Sequence, residues 1–247
     1  MPLLEIKNLN AGVGEKQILK DFSFEIEAGK VYAVMGPNGS GKSTLSNVIA
    51  GNPAYTVSSG QMMFKGKDLS LMTPDVRANE GIFLGFQYPV EIAGVSYAQF
   101  LKQALTSKMK YLGQKPLDAV GYIKRLKVRA QALGVSDEML KRPVNVGFSG
   151  GEKKRMETLQ MAFLEPDFCI LDEMDSGLDV DALKIVADGV NLMRAENRSF
   201  MLITHYERLL DLIEPDVVYI MVDGHVVDKG DKSLALKLEE KGYADYK

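Results

Sequence analysis

The sequence predicts an α/β fold: a sheet-and-helix core, a small N-terminal antiparallel β subdomain, and a helical subdomain inserted into the core. Three observations predict it. Val31 to Met35 is continuously apolar and runs straight into Gly36-Pro37-Asn38-Gly39-Ser40-Gly41-Lys42-Ser43, a complete G-x-x-x-x-G-K-[ST] phosphate loop. Before that run the chain alternates apolar and polar residues, as half-buried strands do. From Val90 to Val146 the texture changes to helical spacing. The expected division is therefore residues 1–89 and 147–247 for the core with its β subdomain, and residues 90–146 for the insertion.

Leu3 to Leu9 and Phe22 to Ile26 carry the alternation, and Gln61 to Phe64 adds a third strand to the N-terminal sheet. Val31 to Met35 reads as a parallel strand covered on both faces, and the residues from Ser43 to Ala50 carry the helix after the loop. Ser96 caps a helix running to Met109, with Phe100, Leu101, Leu105 and Met109 as its apolar stripe. Pro116 opens another, ending near Gly134. Phe148-Ser149-Gly150-Gly151-Glu152 then starts a helix ahead of an apolar strand, Phe168-Cys169-Ile170-Leu171, that ends in Asp172-Glu173. A helix near Asp181 to Met193, a strand Phe200 to Thr204 and a hairpin around Asp223-Gly224 complete the chain.

The residues of the loop specify its chemistry. A triphosphate needs dense hydrogen-bond donation without bulky side chains in the way. Gly36, Gly39 and Gly41 let backbone N–H groups turn inward, and the following helix adds its N-terminal dipole. Lys42 brings a cation to the β- and γ-phosphates, and the Ser43 hydroxyl is a ligand for Mg²⁺. With Pro37, Asn38, Ser40 and Thr44, these residues form the expected ATP-binding set. Asp172, at the end of a buried strand, fits the carboxylate that assists the metal through a bound water.

Composition narrows the function classes. A net charge of −3 gives no general basic field for nucleic acid. The longest apolar runs, such as Val217 to Val222, are far shorter than the ~20 residues of a membrane helix. Glu5, Lys7 and Glu15 interrupt any apolar leader. One cysteine forms no internal disulfide, which suits a reducing cytoplasm. One Cys and two His also fall short of the four thiolate-type ligands of an iron–sulfur cluster, and Cys169 sits where a small core residue fits.

The order phosphate loop, Ser-Gly-Gly helix start, then strand ending in two carboxylates resembles the ATP-binding cassette family, whose signature reads L-S-G-G-Q; Phe148 and Glu152 replace its outer residues. The resemblance implies that Ser149, Gly150 and Gly151 close over ATP held by a second copy, so two copies pair transiently in an ATP-dependent way. It implies that Glu173 is the general base for the attacking water. Gln87, in Phe86-Gln87-Tyr88-Pro89, matches the glutamine that senses metal or water and is coupled to the helical subdomain. Asp179, in Asp175-Ser176-Gly177-Leu178-Asp179, matches the loop that crosses between copies, and His205 matches the histidine that contacts the γ-phosphate. His225 has no such context and reads as a surface residue. Where the family commonly places an aromatic residue that stacks on adenine, this chain has Val13.

Longer strings narrow the resemblance. Val144 to Arg155, Phe86 to Ile92, Asp175 to Lys184 and Thr204-His205-Tyr206 resemble the ATPases of the SUF iron–sulfur cluster assembly system. That implies a SufB–SufD-like scaffold as the driven partner. The alternative is the ATPase subunit of a membrane transporter, since membrane importers and exporters use the same module.

Overall fold

The computed structural model describes residues 1–204 and 207–246. An antiparallel sheet with strand order β2-β1-β4-β5 is formed by β1 (Leu4–Val13), β2 (Lys16–Ile26), β4 (Thr56–Phe64) and β5 (Lys67–Asp68). A second sheet has the order β12-β11-β3-β10-β9-β6 among the described residues. Its strands are β3 (Val31–Met35), β6 (Ile82–Gly85), β9 (Phe168–Asp172), β10 (Ser199–Ile203), β11 (Val217–Val222) and β12 (His225–Gly230). All its pairings are parallel except β11 with β12.

The helices around this core are α1 (Lys42–Ala50), α2 (Pro74–Glu80), α6 (Gly150–Leu164), α7 (Val180–Met193), α8 (Glu207–Leu212) and α9 (Lys232–Lys241). Between β6 and α6 lie α3 (Tyr97–Tyr111), α4 (Ala119–Ala132) and α5 (Asp137–Lys141), with a short ladder of β7 (Ile92–Ser96) and β8 (Pro143–Val144). No helix among the described residues is long and apolar enough to cross a membrane.

The continuously apolar strands have one cause. Along β3, Val31, Ala33 and Met35 face a cluster that includes Tyr97, Met156 and Val186, while Tyr32 and Val34 face the cluster of α1 and the antiparallel sheet. Strands β9 and β10 split the same way, Cys169 and Leu171 against Phe168 and Ile170, Phe200 and Leu202 against Met201 and Ile203. A strand covered on both faces has no place for alternation. Cys169 is fully buried here and burial pushes its thiol up, as a core residue requires.

The structure lengthens the N-terminal strands beyond the expected limits. Register shifts after Ile6 and Leu9 break the period of β1, so alternation is lost at Leu9 while pairing continues to Val13. In β4 the early residues Thr56 to Gln61 are exposed and mostly polar, which hides a strand from an apolar pattern. Gly60 is required there: at φ 97° its backbone lies where an added Cβ would meet the Asn8 carbonyl oxygen at 2.5 Å. Pro116 does not open α4. Asp118 does, its carboxylate accepting from the Gly121 N–H at 2.7 Å, because a side-chain cap satisfies a free helix donor that proline leaves alone. Ser96 caps α3 as expected, in a capping box with Gln99.

The helix after the phosphate loop is fastened at its far end by Arg77 of α2. Its guanidinium donates to the Val48 and Ile49 carbonyls at 2.7 and 2.9 Å, to Leu69 at 2.6 Å and to Met72 at 3.1 Å. A buried cation at the C-terminus of α1 also opposes the negative end of its dipole. Arg77→Met keeps most of the bulk but strands these acceptors. It is expected to lower unfolding free energy by on the order of 3 kcal/mol, measured as a shift of the denaturant midpoint at unchanged slope. A shift equivalent to less than ~0.5 kcal/mol, the range of ordinary surface changes, would remove Arg77 from this role.

Candidate active site

Strand β3 ends at Met35, and Gly36 to Ser43 turn over the carboxyl edge of the parallel sheet into α1. This is where open parallel sheets place ligands. Gly41 has φ 105° and precedes the helix directly, so α1 presents its first N–H groups to the loop without a side-chain cap. Lys42 is buried and folds back inside the loop, donating to the Gly36 and Pro37 carbonyls at 2.8 and 3.1 Å. Burial depresses its ammonium pKa, with Glu173 and Asp172 pulling it the other way. Ser40 is 1% exposed, and its hydroxyl is a buried polar atom without a hydrogen-bond partner. A glycine loop running into an uncapped helix N-terminus, with a confined cation beside it, fits a phosphate chain.

The second half of the site comes from β9. Asp172 is buried, and its carboxylate accepts from Ser43 Oγ at 3.1 Å and from Ser46 Oγ at 2.7 Å. Burial raises its pKa, and the two hydroxyls oppose that shift. Ser43 and Asp172 thus already meet, and a hydroxyl beside a carboxylate is the hard oxygen donor set that suits Mg²⁺. Glu173 follows with φ 46°, a left-handed backbone that is strained in a non-glycine residue, and its N–H donates to the Ile203 carbonyl at 2.9 Å. Gln87, just after β6, donates its amide to Glu173 Oε2.

A cleft of about 410 Å³ joins Asn38, Gly39, Gly41, Lys42, Ser43, Thr44 and Glu173. Its other wall is Lys16, Gln17, Ile18 and Lys20 of β2, with Asp223. The sequence reading missed this wall, because it began the second strand at Phe22. The signal was the Asp223-Gly224 turn, whose Gly224 N–H donates to the Ser40 carbonyl at 3.0 Å while its own carbonyl accepts from Lys20 N–H at 3.1 Å. Val13 is 43% exposed and does not line the cleft, and no aromatic residue among the described residues does.

Ser149, Gly150, Gly151 and Asp179 do not line it either. Ser149 caps α6 and Asp179 caps α7, accepting from Ala182 N–H at 2.8 Å. The two helix starts adjoin, since a Cβ on Gly151 would lie 3.5 Å from Ala182 Cβ. Both departures from L-S-G-G-Q have local causes. Glu152 accepts from Ser149 N–H at 2.8 Å and completes a capping box, which holds its carboxyl below the usual range. Phe148 is buried, with the Arg142 guanidinium 3.8 Å from its ring centroid and Tyr97 edge-on to it. In the loop between β9 and α7, Asp175 is buried and accepts from the Thr204 hydroxyl. His205 lies outside the described residues.

Known proteins resemble this chain in sequence and fold. The ABC transporter family matches residues 19–176. Over 241 residues the chain is 53% identical to a protein of Escherichia coli strain K12 named probable ATP-dependent transporter SufC, covering 98% of this chain and 97% of that protein. It is 49% identical to a probable ATP-dependent transporter, ycf16, of Trieres chinensis, covering 98% and 96%. Its fold is similar to that of a dimeric ATP-binding cassette in a post-hydrolysis state with ADP and phosphate, at TM-score 0.78 and 18% identity, covering 93% of this chain and 98% of that one.

The first glycine of the loop is the least replaceable. A Cβ on Gly36 would lie 2.1 Å from the Met221 carbonyl oxygen of β11, whereas one on Gly39 would meet nothing within 4 Å. Gly36→Ala is expected to cost about 1–3 kcal/mol through forced backbone shifts. Gly39→Ala, at φ 83°, should cost about 1–2 kcal/mol from backbone conformation alone. Unfolding titrations of both, with nucleotide affinity, check this; a Gly36→Ala protein as stable as the parent would contradict the close approach.

Proposed function

The chain belongs to the ABC transporter family, and from that premise we propose that this ATPase drives conformational change in a SufB–SufD-like scaffold during iron–sulfur cluster assembly. The observation that carries the reading is 53% identity, over nearly the whole of both chains, with a protein named SufC.

Catalysis in this reading is positioning and charge stabilisation. The loop N–H groups and the α1 dipole hold the phosphates of ATP. Lys42 exchanges its two carbonyl partners for phosphate oxygens, and Ser40, whose side chain is buried beside Gly36 outside the cleft, takes part only through the loop backbone. Ser43, Asp172 and Gln87 would hold Mg²⁺, which when bound would neutralise charge on the β- and γ-phosphates. Glu173 orients the attacking water and takes its proton, with Gln87 holding the carboxylate in place. His205 contacts the γ-phosphate. Ser149, Gly150, Gly151 and Asp179 act on the nucleotide of a second copy; their adjoining positions outside the cleft, with Ser149, Gly150 and Asp179 exposed and Gly151 half-buried, support that assignment.

Exposure supports the partner surface. Tyr88 is 81%, Val90 63% and Ile92 37% exposed, directly after Gln87. Singly exposed apolar residues are ordinary, but a run of them beside a catalytic loop marks a contact.

Glu173→Gln keeps the nucleotide contacts and removes the base. A closed pair is expected to accumulate with Mg·ATP, read by size-exclusion chromatography together with hydrolysis near background. A variant that stays monomeric even with its scaffold would count against the shared site or against Glu173 as the base. Val90→Asp or Ile92→Asp should weaken binding to a SufB–SufD-like pair by roughly 5- to 150-fold, while nucleotide binding by the chain alone is retained. Unchanged affinity in folded variants would move the docking surface elsewhere, and binding to a membrane-spanning subunit instead would overturn the scaffold reading.

A further inference from the structure

One buried ion pair has no part in the mechanism above. Lys154 and Glu157 lie one turn into α6, behind the Ser149 end, with Nζ and Oε2 3.3 Å apart and both side chains about 5% exposed or less. The pair reaches across to the residue before Gln87. The Phe86 N–H donates to Glu157 Oε1 at 2.7 Å, and Lys154 Nζ donates to the Phe86 carbonyl. Opposite charges from one helix therefore hold the two polar backbone groups of a single residue. The loop is tied to the same region again beyond Gln87, where Lys153 pairs with Glu91 at 2.8 Å and Asn145 donates to the Val90 carbonyl at 2.7 Å.

A buried ion pair contributes little to stability compared with apolar residues of the same volume, because desolvation offsets the attraction. Burial pushes the Glu157 carboxyl up to about 7 against the pull of Lys154 and the Phe86 N–H. What the pair does supply is orientation. Turning the backbone at Phe86 would break a hydrogen bond at each charge and leave both in a buried site. Gln87 is the next residue, and its amide is on Glu173.

We propose that Glu157, together with Lys154, is a positioning residue for Gln87: the pair fixes the backbone at Phe86 so that the Gln87 amide stays on Glu173, and it ties that contact to the helix that begins at Ser149-Gly150-Gly151. The inference rests on the roles given above to Gln87 and Glu173. Displacement of the α6 N-terminus against a second copy then reaches Glu173 through the ion pair, the Phe86 backbone and the Gln87 amide.

A double-mutant cycle on the full chain tests it, with steady-state ATP hydrolysis and nucleotide affinity measured on Glu157→Ala, Gln87→Ala and the double variant. Glu157→Ala is expected to lower kcat ~10- to 100-fold, as misplacement of catalytic groups does. Nucleotide affinity should change less than ~2-fold, since the phosphate loop is untouched. In the Gln87→Ala background the same substitution should lower kcat no further. Losses that multiply would overturn the proposal, because Glu157 would then act independently of Gln87. Should Glu157→Ala fail to fold, Lys154→Met with Glu157→Leu fills the site with apolar side chains and takes its place in the cycle; parental hydrolysis by that folded variant also overturns the proposal. A Gln87→Ala protein that hydrolyses ATP at the parental rate would remove the role of Gln87 itself, and the inference with it. A slow Gln87→Ala beside a parental Glu157→Ala would sink the inference alone.

Discussion

A carboxylate delivered by a buried strand must be satisfied where the strand ends, and the site is arranged around that constraint. Asp172 arrives at the carboxyl edge of the sheet with both neighbouring strands in register, Ile203 beside it on β10 and Leu171 beside Gly85 on β6. Ser43 and Ser46 of α1 supply its hydrogen bonds. The same two bonds therefore fix α1 on the sheet and set the phosphate loop above it. Removing either the acid or the hydroxyls would leave a buried polar group unpaired, which costs more than the bond contributes. Arg77 fastens the other end of that helix. The helix that receives phosphate is thus held at both ends by polar bonds that do not compete with a ligand for the loop N–H groups.

The remainder of the site is split by topology. The cleft gathers the phosphate loop, Glu173 and the β2 wall on one side. The caps of α6 and α7 open elsewhere, although both helices pack closely enough that Gly189 leaves no room for a Cβ beside Thr158. On the proposed reading, one chain carries the two halves of a shared site, and they do not face each other. Two copies related by a twofold axis would bring unlike halves together twice, a self-complementary arrangement that closes. Hydrolysis in such a design depends on association, and association depends on where the helix bearing Ser149 points.

Much of this was legible in the residues, for identifiable reasons. The phosphate loop, the strand into it, and Asp172-Glu173 are fixed by short-range chemistry: glycine where the backbone turns, a cation, carboxylates at the end of an apolar run. The cap of α3 at Ser96 was legible because capping is local. The wall formed by Lys16 to Lys20 was not, because it enters the site only through the long-range meeting of β2 with the Asp223-Gly224 turn. Lys154 lay inside the Val144 to Arg155 string and Glu157 two residues beyond it; only their common burial distinguishes them from the exposed Lys and Glu pairs of any helix. Pro116 misled because proline at a helix start is permissive, whereas the Asp118 carboxylate makes a bond.

Composition and geometry together constrain how such a chain can act on a cluster. Cys169 could ligate a cluster only as a thiolate that reaches the metal, but it is buried in β9 and burial disfavours its thiolate. If the chain acts in cluster assembly as proposed, its contribution would be motion passed through a surface rather than a bond to iron. The path for that motion is short. Gln87 faces Glu173, and Tyr88 on the next peptide faces solvent at 81% exposure. A peptide step is about 3.8 Å between Cα atoms, so a partner seated on Tyr88 lies one residue from the glutamine whose amide is on Glu173. Coupling between hydrolysis and an external scaffold needs no wire through the core in this chain; it needs a loop held firmly at Phe86 and at Glu91, with its two faces committed to different molecules.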